Sequence, residues 1–256
     1  MPWTFAHPAA ILPLRSIGGV RLPLAALVIG SLAPDFGYYL GQFELATFAH
    51  TLLGVLLLCL PTGALVLSLF TAVQHDLIRL LPQPHRGALL LSQSEHRPAS
   101  RLGRLIGAVA GLLLGAATHV LWDSFTHASG LAVHLLPALQ ATVLTVGSHK
   151  MHVYNLLQHA STALGLLAML LVYRRWLGQS PPPLKKDPSH ERCRYIVLAG
   201  CLVLACISGM LLAAMTGGSG HTGASLDLFR VVILSTNAFA VLLLLAAVVW
   251  SKRSDT

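Results

Sequence analysis

Several stretches of this chain run about 20 residues without a Lys, Arg, Asp or Glu, the length an α-helix needs to cross a hydrocarbon core of about 30 Å. A segment carried into lipid must pair its backbone N–H and C=O groups internally, so it has to be a helix or part of a closed barrel. Leu, Ala, Val and Gly dominate these runs and period-2 alternation is missing. That pattern excludes a barrel and leaves an all-α, multi-pass transmembrane helical bundle. Composition agrees: only 10% of residues are charged and 55% are hydrophobic, against about 25% charged in soluble domains.

Full-length spans are predicted over residues 50–73, 105–125, 153–173, 195–215 and 228–250, with Pro61 kinking the first. Two shorter apolar segments, 8–17 and 22–33, flank Ser16-Ile17-Gly18-Gly19 and read as a tight helical hairpin, with one span over 22–40 as the competing reading. Residues 131–146 are apolar but short, with Pro137 in their middle, which suits an interfacial or partly inserted segment. No internal repeat is visible. The chain divides into a helical membrane domain over 1–178, a basic Pro-rich linker over 179–194 and a two-helix hairpin over 195–256.

The formal net charge of +8 does not point to nucleic acid, because the Lys and Arg residues cluster between apolar segments and are not interleaved with aromatics. Basic stretches at 74–104 and 174–194 and the pair Lys252-Arg253 are expected on the cytoplasmic side. Alternating the five spans satisfies all three placements and puts the C-terminus in the cytoplasm. Residues 1–14 lack the basic start of a cleavable signal. Cys59, Cys193, Cys201 and Cys206 form no C-x-x-C pair and read as small packing residues.

This topology sorts the polar residues by depth. His50 opens an inbound span, His119, Asp123 and His127 close an outbound one, and His159 lies in the first turns of the next, so all five fall at the outer membrane face. If residues 8–33 form a hairpin, His7 and Asp35 reach a common level beside them. His119 and Asp123 are i and i+4 on a helix and share a face, which lets two side chains hold one ion. An ionisable group near hydrocarbon costs on the order of 2.5–3.5 kcal/mol on insertion scales, so such groups pair or work. A bound cation would supply the positive charge that Asp35 and Asp123 lack nearby in sequence. Imidazole and carboxylate together suit zinc, manganese or iron over copper(I) or calcium. The plainer readings are a structural hydrogen bond between His119 and Asp123 and a turn or cap role for Asp35. Histidines on the basic linkers, such as His75, His85, His96 and His190, are left outside the cluster.

The peptide Met1-Pro2-Trp3-Thr4-Phe5-Ala6-His7-Pro8-Ala9-Ala10 opens the chain, and further on stand Gly30-Ser31-Leu32-Ala33-Pro34-Asp35, Ala49-His50-Thr51-Leu52-Leu53-Gly54, Thr118-His119-Val120-Leu121-Trp122-Asp123-Ser124-Phe125-Thr126-His127 and Leu157-Gln158-His159-Ala160-Ser161-Thr162. Together, over roughly residues 1–175, these resemble an uncharacterised bacterial family of multi-pass membrane proteins. The order His, Pro-Asp, His-Thr and His-x-x-x-Asp is also distantly similar to inner-membrane metal-dependent hydrolases and to the zinc-dependent phospholipase C and single-strand nuclease group. That similarity implies metal positions at His7, Asp35, His50, His119, Asp123, His127 and His159. The soluble enzymes also use a free N-terminal Trp and a carboxylate one turn after the last His, where this chain has the internal Trp3 and Ala163. One or two ions, Zn²⁺ above all, are therefore expected in place of three.

The expected function is a metal-dependent hydrolase of the bacterial cytoplasmic membrane. It would act at the extracytoplasmic face on a phosphoester or lipid-linked substrate, with Asp35 and Asp123 catalytic and Asp35 taking a proton from water. Gln158, Thr51, Ser124 and Thr126 are candidates to support the ligands. Membrane lipids are the expected partners. The alternatives are a non-enzymatic membrane protein with a structural metal and a metal or proton transporter. Ligands at helix ends and the missing repeat argue against the transporter.

Overall fold

A computed structural model of the chain describes residues 3–17, 20–94, 100–180, 188–216 and 224–254. Among them, five helical stretches are long and apolar enough to cross a membrane: Leu52–Leu80, Arg101–Leu135, Val153–Gly178, His190–Met215 and Leu228–Lys252. These correspond one for one to the five spans expected from charge-free runs. The chain is a multi-pass membrane protein built as an all-α bundle.

Packing gathers the chain into two compact units, Met1–Ser68 with Pro98–Trp176, and Leu69–Arg97 with Leu177–Thr256. In the first, α1 (Pro8–Ile11) is a single turn that starts on Pro8, where a missing N–H costs nothing. A 3-10 turn, Leu12–Arg15, follows it. Strand β1 (Ser16–Ile17) then pairs antiparallel with β2 (Val20–Arg21), and α2 (Leu24–Leu32) returns. The chain does double back here, through a short antiparallel strand pair and not through two complete helices. Gly18 and Gly19 of the expected turn lie outside the described residues.

After α2 come a 3-10 turn at Ala33–Asp35, α3 (Phe36–Tyr39) and α4 (Phe43–Ala49). The first long span begins with α5 (Leu52–Gly54), continues as a π-helical segment, Val55–Cys59, and becomes α6 (Leu60–Leu80). The irregularity expected from Pro61 thus takes the form of a π segment just ahead of the proline, the kind of bulge that recurs beside functional sites. Helix α7 (His85–Ser94) follows; Glu95, His96 and Arg97 of the basic linker lie outside the described residues.

Helix α8 (Arg101–Thr126) is the axis of the first unit, and α2 packs along it. A Cβ on Gly115 would overlap the Leu27 carbonyl oxygen, and one on Gly30 would overlap the Leu112 carbonyl oxygen. Only glycine lets the two backbones approach this closely, the device by which helices associate in lipid without a hydrophobic driving force. Ala26, Leu27 and Leu112 are buried along this seam.

Residues 131–146 do not form one apolar helix. Helix α9 (Leu131–Leu135) stops two residues before Pro137, and β3 (Thr142–Val146) pairs antiparallel with β4 (His149–His152) around Gly147, whose φ is +60°. Thr142, Val143, Thr145 and Val146 are β-branched and favour the strand. Helix α10 (Val153–Gly178) completes the first unit and leads out of it.

In the second unit, α11 (Pro188–Thr216) packs against α12 (Ala224–Ser254), with Ala205, Ala213 and Ala247 buried. The later half of the expected linker, from Pro188, is therefore helical. Residues 181–187 of that linker and 217–223 of the Gly-rich loop lie outside the described residues.

Candidate metal centre

Four elements of the first unit deliver the ligand-bearing side chains. The 3-10 turn Ala33–Asp35, with Pro34 inside it, follows α2 and carries Asp35, 1% exposed. His50 caps the C-terminus of α4. His119, fully buried, and Asp123 stand one turn apart on α8, and His127 caps that helix. His7, 4% exposed, enters on the N-terminal segment.

Asp35, His50, His119 and Asp123 form a group whose ligand atoms all lie within 4.8 Å of one another. His50 Nε2 is 3.2 Å from His119 Nε2, 3.6 Å from Asp35 Oδ1 and 3.4 Å from Asp123 Oδ2. His119 Nε2 is 3.5 Å from Asp35 Oδ1 and 3.4 Å from Asp123 Oδ2. A tetrahedral zinc with ligands at about 2.0–2.1 Å has ligand-to-ligand edges of about 3.3–3.4 Å. These five distances are those edges to within a few tenths of an ångström.

The imidazoles are oriented for this role. His119 Nδ1 donates to the Ser31 carbonyl at 2.7 Å, and His50 Nδ1 donates to the Ala46 carbonyl at 2.7 Å. A carbonyl can only accept, so each Nδ1 carries a proton and each Nε2 faces the cluster. Two Nε2–H groups facing each other at 3.2 Å would repel, and a neutral ring there offers its lone pair to a cation. The donor set of two nitrogens and two carboxylate oxygens fits a borderline divalent cation such as zinc.

Around this core, Thr4 Oγ1 donates to Asp35 Oδ2 at 2.6 Å. The His7 ring stacks on His119 with centroids 3.6 Å apart, and its Nε2 lies 3.5 Å from Asp123 Oδ1. Burial and the neighbouring His119 push the His7 imidazole down to about 4, so it is neutral at neutral pH. His127 Nδ1 is 3.5 Å from Asp123 Oδ2 and 3.2 Å from Thr126 Oγ1. Burial and the Asp35 and Asp123 carboxylates push the Tyr38 phenol up to about 12, keeping it protonated beside His50. Asp35 Oδ1, Asp123 Oδ1, His7 Nε2 and His127 Nε2 are buried with no hydrogen-bond partner among the described residues. Orphaned acceptors and lone pairs converging in one place fit a cation.

The structure therefore brings together His7, Asp35, His50, His119, Asp123 and His127. His159 is exposed on α10 and stands outside the four-ligand group, while its neighbour Gln158 is buried. Of the residues expected to support the ligands, Thr126 touches His127, but Thr51 caps α5 and Ser124 bonds its own helix. Sequence reasoning missed Thr4 and the carbonyls of Ser31 and Ala46. Thr4 stands three residues before His7, about one helical turn, and that spacing was the available signal.

The chain belongs to the family described as a domain of unknown function, DUF4184, which it matches over residues 1–248. No curated protein and no solved structure matches it.

Proposed function

We propose that the chain is a metal-dependent membrane hydrolase, acting at the extracytoplasmic face of a bacterial cytoplasmic membrane on a phosphoester or another lipid-linked bond. The observation that carries this reading is the group Asp35, His50, His119 and Asp123, whose ligand atoms lie within 4.8 Å of one another. The similarity in motif order to inner-membrane metal-dependent hydrolases and the zinc-dependent phospholipase C and single-strand nuclease group supports it. The cation, zinc by preference of the donors, would act as a Lewis acid and bring a water's ionisation toward neutral pH.

The protein's own groups divide the remaining work. Asp35 holds, since Oδ2 is bonded to Thr4 and Oδ1 faces both imidazoles. Asp123 holds through Oδ2 and keeps Oδ1 free beside His7 Nε2, so this pair can accept a proton. The same edge would hold a second ion. Access comes from the side of His50 and His127, whose side chains are 20% and 24% exposed, and exposed Leu52, Leu53, Trp122 and Phe125 give nearby surface an apolar character suited to lipid chains.

A second reading has its own support. Four protein ligands at tetrahedral spacing resemble a closed structural site, whereas catalytic zinc commonly keeps three and an open position. Elemental analysis of detergent-purified protein should find about one divalent ion per chain. Hydrolysis of a bis-aryl phosphate or of phospholipid vesicles, lost on chelation and regained with zinc while the fold persists, marks an enzyme. Unfolding on chelation with no turnover of either substrate marks a structural site, and a metal-free preparation that takes up no zinc removes both readings. In a background without native cysteines, an impermeant thiol reagent outside intact cells should label Leu131→Cys but not His190→Cys. The reverse pattern would invert the sidedness.

A further inference from the structure

We infer that Thr4 is a positioning residue that fixes how Asp35 meets the cation, and that the N-terminal segment is part of the centre and not a passive leader to the first helix. The inference rests on the metal-site reading above and deepens it.

Asp35 has two oxygens in a place where almost no solvent reaches it. Its Oδ1 faces His50 Nε2 at 3.6 Å and His119 Nε2 at 3.5 Å, with no hydrogen bond of its own. Its Oδ2 takes the Thr4 hydroxyl at 2.6 Å, a short charge-assisted bond between groups 7% and 1% exposed. With Oδ2 engaged by Thr4, Oδ1 is the oxygen that faces both imidazoles, so the Thr4 bond favours one-oxygen ligation. Without that bond Oδ2 is free to swing in, and the cation gains a fifth donor.

Thr4 is itself held. The backbone N–H of Trp3 donates to Thr162 Oγ1 of α10 at 3.2 Å, and the Thr162 hydroxyl is turned by its own bond to the Gln158 carbonyl. Three residues on, His7 stacks against His119 and Ile11 is fully buried. The segment is thus pinned at both ends across the cluster, and Thr4 is the point where it bonds Asp35. His119 and His50 make the corresponding bonds by donating to backbone carbonyls, so each of Asp35, His50 and His119 is oriented by one fixed partner.

The test loads the full-length protein with Co²⁺ as a spectroscopic stand-in for zinc and compares wild type, Thr4→Val and Thr4→Ser. Four-coordinate Co²⁺ absorbs several-fold more strongly in the visible than five-coordinate Co²⁺. Thr4→Val should weaken Co²⁺ binding, measured against a competing chelator, by about 10–100-fold, and should lower the visible absorption per bound ion. Thr4→Ser keeps the hydroxyl and should restore both. Thr162→Ala loosens the segment without touching Asp35 and should weaken binding less than Thr4→Val. Wild-type affinity and spectrum in Thr4→Val would overturn the inference and leave the metal site standing, as would equal losses in Thr4→Val and Thr4→Ser. A wild-type chain that binds no Co²⁺ overturns the metal site and the inference together.

Discussion

Two buried carboxylate centres, one in each unit, solve the same electrostatic problem differently. In the second unit Glu191 accepts from the Gln83 backbone N–H at 2.9 Å, Arg86 at 2.9 Å and Arg194 at 3.3 Å. Arg194 also donates to the Arg79 carbonyl and lies over the Trp250 ring at 4.9 Å. The charge of Glu191 is met by guanidinium groups that cannot lose their protons. In the first unit the charged partners that Asp35 and Asp123 face are histidines, beside the Thr4 hydroxyl on Asp35. A carboxylate opposed by arginine is structural cement, while carboxylates opposed by imidazoles can leave their charge to a cation.

Substitutions sharpen this contrast, and the largest effect is expected at the first centre. Asp123→Ala should weaken zinc binding by more than about 100-fold, beyond the loss seen when a supporting residue is removed, and elemental analysis would report it. Retained metal in that variant would break the comparison, because the two centres would then both be ordinary ion-pair knots. Glu191→Ala should leave the metal content unchanged but strand Arg86 and Arg194, with a loss of about 3–5 kcal/mol of stability visible as a lower melting temperature. Smaller again, Gly115→Ala pushes α2 off α8 at the Leu27 carbonyl. It should cost about 1–3 kcal/mol of overpacking and weaken zinc binding through the nearby bond from His119 to the Ser31 carbonyl. A Gly115→Ala protein with wild-type stability and affinity would show that the glycine seam does not set the site.

Much of the bundle was legible because lipid imposes one rule on every span. Charge-free runs marked five helices, and the i, i+4 pair His119 and Asp123 could be placed on one face of α8 from spacing alone. Short segments were less legible. Residues 131–146 read as apolar, but β-branching ahead of a glycine turn made their last five residues one strand of a hairpin. The glycines at 103, 107, 111 and 115 repeat every fourth residue, a pattern for close helix approach that hydropathy does not weigh. Thr4 carried no charge and no metal-binding chemistry, so nothing in its own type set it apart.

What the sequence determined by itself is the solvent of this protein and the inventory of its ligands: apolar length dictates helices in a bilayer, and side-chain type dictates which atoms can hold a cation. What the tertiary structure alone decided is their meeting. Asp35, His50 and His119 come from segments with no local reason to be neighbours, and only the close crossing of α2 and α8, with the turn at Pro34, brings an oxygen and two nitrogens to within 3.6 Å. Packing in lipid depends on shape at backbone distance, a property of two surfaces together that neither segment carries alone.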